Sequence, residues 1–95
     1  MTEIRYTDGA RAAVDWLKPA DRQQVERAID ALRDGPVPPA GPDVYRVQDP
    51  GRDFYILRAT PDLRVGLVVT ADGAIEVQNV VSRSTVERYA HRSAG

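Results

Sequence analysis

Apolar positions recur with two different periods along this 95-residue chain, and the change of period falls near its middle. Glu3 to Tyr6 reads as a short strand. Thr7 or Asp8 then offers a helix N-cap, and Ala10, Ala13, Val14 and Leu17 share one face of a helix that runs through Leu17. Lys18-Pro19 breaks that helix and starts another, because proline is tolerated in a first helical turn and Asp21 favours the positive end of the helix dipole. Val25, Ala28, Ile29 and Leu32 carry the second helix to about Asp34, where Gly35 stops it. Gly35 to Pro42, GPVPPAGP, holds four prolines and two glycines and forms neither a helix nor a central strand.

From Val44 the period becomes two. Strands are predicted over Val44–Gln48, Asp53–Thr60, Leu63–Thr70 and Ala74–Val81, with turns at Asp49-Pro50-Gly51, Pro61-Asp62 and Ala71-Asp72-Gly73. A three-residue last turn with Gly73 left-handed puts Val65, Leu67 and Val69 on one face with Ile75 and Val77, and the Pro61-Asp62 hairpin adds Phe54 and Ile56. This face is expected to pack on the two helices. The opposite face then carries Tyr55, Leu57, Arg64, Gly66, Val68, Glu76, Gln78 and Val80, and function has to sit there. Arg58 shares parity with the packed face, which assigns it a structural salt bridge. Ser84, with Glu87 three residues on, forms a capping box that opens a final helix. Trp16 and Tyr6 are read as core aromatics.

The length predicts one domain, residues 1–95, with a core of modest depth. The absence of cysteine removes disulfides and thiolate zinc, and a single histidine, His91, gives no basis for an imidazole metal site. No cofactor is expected. No apolar run reaches the roughly 18 residues of a membrane span, and MTEIRYTDG lacks a signal peptide's apolar block, so a soluble cytoplasmic protein without a membrane partner is expected. Net charge is -1, which argues against a generally basic nucleic-acid surface. The charge is uneven, however. Met1 to Asp43 has six Lys and Arg against eight Asp and Glu, whereas Ser82 to Gly95 has three arginines and His91 against Glu87 alone. An anion site belongs in the second half. Lys18 is the only lysine, so lysine chemistry is nearly excluded.

Three segments, ALRDG at Ala31–Gly35, FYILRATPDLRVGLVV from Phe54 and VVSRSTVERY ending at Tyr89, together with the element order, resemble the RelE/ParE superfamily of type II toxin–antitoxin systems. The resemblance implies an α+β fold. In it, an N-terminal strand and two helices pack on a mainly antiparallel twisted sheet with a short C-terminal helix. It also implies a toxin that cleaves messenger RNA on the ribosome without metal and so inhibits translation. Arg64, Arg83 and Tyr89 stand at the family's catalytic positions: Arg64 clamps phosphate, Arg83 assists or polarises the leaving oxygen, and Tyr89 stacks a base or moves a proton. Arg46, Arg88, His91 and Arg92 complete the implied RNA contacts, with His91 as a spare base.

On this reading Tyr55 and Leu57 occupy groove positions that are basic in the active ribonucleases, a departure that points to reduced activity. Two alternatives therefore stand beside the ribonuclease: a ParE-like inhibitor of DNA gyrase acting by protein contact, and a non-toxic relative that keeps only antitoxin binding. The implied partners are a cognate antitoxin and the ribosome with its message, or gyrase. At net charge -1 the antitoxin contact is expected to rest on apolar surface more than on charge.

Overall fold

In a computed structural model, Pro19 and Gly35 punctuate the chain as the pattern predicts. The elements are β1 (Ile4–Tyr6), α1 (Asp8–Asp15), α2 (Pro19–Asp30), a 3-10 turn (Ala31–Asp34), β2 (Val44–Asp49), β3 (Arg52–Arg58), β4 (Leu63–Val69), β5 (Ile75–Ser82) and α3 (Arg83–Ala94). The structure describes the backbone of residues 2–49 and 52–94 and the side chains of residues 2–48 and 54–88; Pro50 and Gly51 of the expected turn lie outside it. The Thr7 hydroxyl accepts the Ala10 N–H at 3.1 Å, which satisfies one of the donors that a helix start leaves open.

The fold is α+β, with a five-stranded sheet in the order β1-β5-β4-β3-β2. The β1–β5 pairing is parallel and the other three are antiparallel. Ala10, Val14, Val25 and Ile29 from the helices close against Leu57, Val65, Leu67, Ile75 and Val77 from the sheet, and this cluster is the core. Gly73 has φ +86°, and the Thr70 N–H reaches the Ala74 carbonyl at 2.8 Å, so the β4–β5 connection is the expected three-residue loop with a left-handed glycine.

Four expectations change. The β3–β4 loop is one residue longer than a two-residue hairpin: Ala59 donates to the Leu63 carbonyl at 3.2 Å, and the Thr60 hydroxyl accepts the N–H groups of Asp62 (3.2 Å) and Leu63 (3.0 Å). Leu57 therefore pairs with Val65 and Arg58 with Arg64. A one-residue shift turns every side chain of a strand over. Tyr55 and Leu57 join the packed face, while Phe54, Ile56 and Arg58 move to the other.

The second change is a β-bulge. Gly66 pairs with Asn79 but Leu67 with Val77, which leaves Gln78 as the extra residue, so Val80 turns to the core and Asn79 and Val81 turn outward. The third concerns α3, which starts at Arg83, and its cap is Ser82 rather than Ser84: the Ser82 hydroxyl accepts the Thr85 N–H at 3.2 Å. Fourth, Trp16 is 88% exposed. It stands just beyond α1, two residues past the buried Val14 and so about 200° round the helix from it. Tyr6 does pack against the core, partly buried, with the Arg11 guanidinium 4.6 Å from its ring centroid.

Candidate functional site

The strand register defines the sheet face turned away from α1 and α2. Tyr45, Phe54, Ile56 and Arg58 lie on it from β2 and β3, Arg64, Gly66 and Val68 from β4, and Glu76, Asn79 and Val81 from β5. Ile56, Arg64 and Val68 are buried here, and α3 contacts β4 and β5.

Arg64 is 8% exposed. Its Nη1 donates to the backbone carbonyls of Thr60 (2.8 Å), Leu63 (3.1 Å) and Pro61 (3.3 Å), so carbonyl dipoles and not a carboxylate offset its charge. The guanidinium for which the resemblance implies a phosphate clamp thus staples the turn. Arg58, directly across the ladder, is exposed. Its guanidinium carbon stands 5.4 Å from the centroid of the Tyr45 ring, and it takes part in none of the ion pairs among the described residues. Sequence parity had turned Arg58 inward. The loop length that reverses this is set by the Thr60 hydroxyl, and that bond leaves no mark on the hydrophobic pattern.

Arg83 opens α3 and its backbone N–H donates to the Asp62 carbonyl at 2.8 Å, which brings the end of β5 to the same turn. Its side chain is exposed, with Nε 3.4 Å from Glu87 Oε1. Arg88 is exposed on the same helix. Arg46 pairs with Tyr55 across β2 and β3 and so belongs to the face opposite Arg64. Tyr89, His91 and Arg92 fall within the helical backbone of α3, but their side chains lie outside the described residues. The backbone thus places Arg58, Arg64 and Arg83 around one turn, with the Arg58 guanidinium on Tyr45 and that of Arg83 on Glu87, and sets Arg46 apart.

Asn79 is a polar member of this face that the sequence did not single out. Its side-chain oxygen sits over Gly66, where a Cβ would collide with it, so the glycine keeps room for the amide. On the helix side a cleft of about 410 Å³ is lined by Tyr6, Arg11, Glu26, Arg27, Asp30 and Arg33 among others. Its charges are largely matched within it, Arg33 with Asp30 at 2.6 Å and Arg11 with Glu26 at 4.0 Å. Burial also raises the Tyr6 phenol above its usual range. Among the described residues no group of three or more His, Cys, Asp or Glu side chains is placed to hold a metal ion.

No protein-family model matches the sequence, and no curated protein matches it significantly. Solved structures do. The archaeal RelE–RelB complex from Pyrococcus horikoshii superposes with a TM-score of 0.69 at 25% identity, over 86% of this chain and 94% of that one. The RelBE2 toxin–antitoxin complex from Mycobacterium tuberculosis gives 0.68 at 15% identity, over 86% and 98%. YafQ from E. coli gives 0.68 at 15% identity, over 90% and 98%.

Proposed function

We propose, from the membership of the RelE-like toxin superfamily that its fold shows, that this chain is the toxin of a type II toxin–antitoxin pair and cleaves messenger RNA on the ribosome. The observation that carries this reading is the placing of Arg58, Arg64 and Arg83 around the β3–β4 turn by the strand register and by the bond from the Arg83 N–H to the Asp62 carbonyl. Cleavage by attack of a ribose 2′-hydroxyl on the neighbouring phosphodiester passes through a dianionic pentacoordinate phosphate. Fixed cations beside that charge lower the barrier. Arg58 supplies an exposed guanidinium with planar, bidentate donors, Arg83 a second at the start of α3 when it exchanges Glu87 for phosphate, and Arg64 a fixed positive charge at the same turn. Tyr89 is assigned the proton transfer or the stacking contact, with Arg88, His91 and Arg92 on the same helix as further RNA contacts.

A cognate antitoxin is part of this proposal, since two of the similar structures are complexes of a toxin with its antitoxin. The test is purified protein added to translating ribosomes, with primer extension along the message. Codon-positioned cuts that fall by about 10²–10³ in rate in Arg83→Ala support the ribonuclease. Cuts absent, with gyrase-dependent DNA breaks present, overturn it in favour of a gyrase inhibitor. Silence in both assays leaves a relative that binds antitoxin only.

A further inference from the structure

Most guanidiniums on the described surface are occupied. Arg5 pairs with Glu3 and Asp72, Arg11 with Asp15 and Glu26, Arg22 with Glu26, Arg33 with Asp30 and Arg83 with Glu87, while Arg64 is spent on turn carbonyls. Arg58 is different. It is exposed, its contact is the face of Tyr45, and Tyr45 is itself only partly covered at the β2 edge of the sheet. An exposed cation–π pair contributes only about 0.5–1 kcal/mol, too little to explain the pairing as a stability device at the rim of the sheet. An aromatic face beside an uncompensated guanidinium is, however, the combination that takes one step of single-stranded nucleic acid: the ring stacks a base and the guanidinium holds a phosphate.

We propose that Tyr45 and Arg58 form a binding step for single-stranded RNA on the outer sheet face, Tyr45 stacking a base and Arg58 bonding an adjoining phosphate. The proposal rests on the ribonuclease reading for its choice of RNA. In the free protein Arg58 lies against the Tyr45 ring and covers part of it. When RNA binds, the base replaces the guanidinium on the ring, and the guanidinium exchanges a weak π contact for charge-assisted hydrogen bonds to phosphate oxygens. Neither group is left without a partner in either state. The step sits directly across from Arg64, so a strand held on it runs toward the turn where Arg83 begins α3.

The test is fluorescence anisotropy of a labelled single-stranded oligoribonucleotide with wild type, Arg58→Ala, Tyr45→Leu and the double variant at low salt, alongside Arg27→Ala on the helix side. Folding of each variant is checked by thermal unfolding. Each single variant is expected to weaken binding about fivefold or more, the double variant by less than the product of the two because both act on one nucleotide, and Arg27→Ala by less than about twofold. Wild-type binding that both single variants retain within about twofold overturns the proposal. Loss of antitoxin binding with RNA affinity unchanged overturns it too, because the pair is then a protein contact. The ribosome assay separates the two levels. RNA binding that depends on Tyr45 and Arg58 without message cleavage leaves this site standing and removes the ribonuclease; cleavage that Tyr45→Leu leaves unchanged removes the binding step and keeps the ribonuclease.

Discussion

Arg64 directs one guanidinium nitrogen to three backbone carbonyls of the turn that precedes it, and that geometry changes how its mutation has to be read. Hydrogen bonds made by a charged donor contribute about 1.5–3 kcal/mol, and the carbonyls around Pro61 are near enough to solvent to be rehydrated, so Arg64→Ala is expected to lower stability by about 1–2 kcal/mol. A denaturant midpoint measured beside any activity assay checks this. An unchanged midpoint removes the structural role. Arg58→Ala is expected to cost no more than about 1 kcal/mol, the worth of its exposed contact with the Tyr45 ring, because it makes no ion pair among the described residues. A loss of activity in Arg58→Ala is therefore a functional statement, whereas the same loss in Arg64→Ala is a mixture. The sequence marked Arg64 and Arg83 because a family pattern exists for them. It misplaced Arg58 because Phe54, Tyr55, Ile56 and Leu57 are all apolar, and alternation carries no parity where both faces are apolar.

Element ends were legible to within about two residues, since proline, glycine and period changes act locally, except that α2 stops at Asp30 and only a 3-10 turn continues to Asp34, and two interruptions of register were not legible. Gln78 is polar at a position where either a regular strand or a bulge accepts it, so the flip of Asn79, Val80 and Val81 depends on tertiary pairing. The start of α3 offered two serines, and the cap fell to Ser82 at the end of β5. Ser82→Ala is expected to cost about 1 kcal/mol and to raise amide exchange in the first turn of α3. Ser84→Ala should do little, and the reverse ranking would move the cap. The β4–β5 turn carries a separate electrostatic prediction. The Arg5 guanidinium, 2.6 Å from the carboxylate, and the Thr70 hydroxyl hold the Asp72 carboxyl down to about 2 from its ordinary 3.8. A depressed carboxylate stabilises the fold above its unfolded pKa, so the contribution is complete at neutral pH and is lost as pH falls from about 4 toward 2. Asp72 is fully exposed, and salt screens the effect. An NMR titration of the Asp72 side chain should show a midpoint near 2 at low salt, moving up in Arg5→Ala; a midpoint near 3.8 in wild type would dissolve the pair.

Across the whole molecule, the parallel pairing of β1 with β5 ties the first residues to the last strand, and both helices close on the sheet through one cluster. That long-range link is what the local patterns could not specify: Ile4 reads as strand from its neighbours, but nothing near it names Ile75 as its partner. Its consequence is cooperativity. Ile29 is 1% exposed between α2 and the sheet, so Ile29→Ala removes apolar contact from both layers at once and should cost about 2–5 kcal/mol, a large part of the roughly 5–15 kcal/mol that holds a native domain. The urea midpoint falls while the slope stays, because the same surface is exposed on unfolding. The probe matters here. Trp16, the only tryptophan, is already 88% exposed, so its emission should change little through a transition that far-UV circular dichroism follows in full. A large blue-shifted native emission would mean that Trp16 is covered in solution. The protein would then bury against a partner or a second copy the one large aromatic that the fold leaves in water among the described residues.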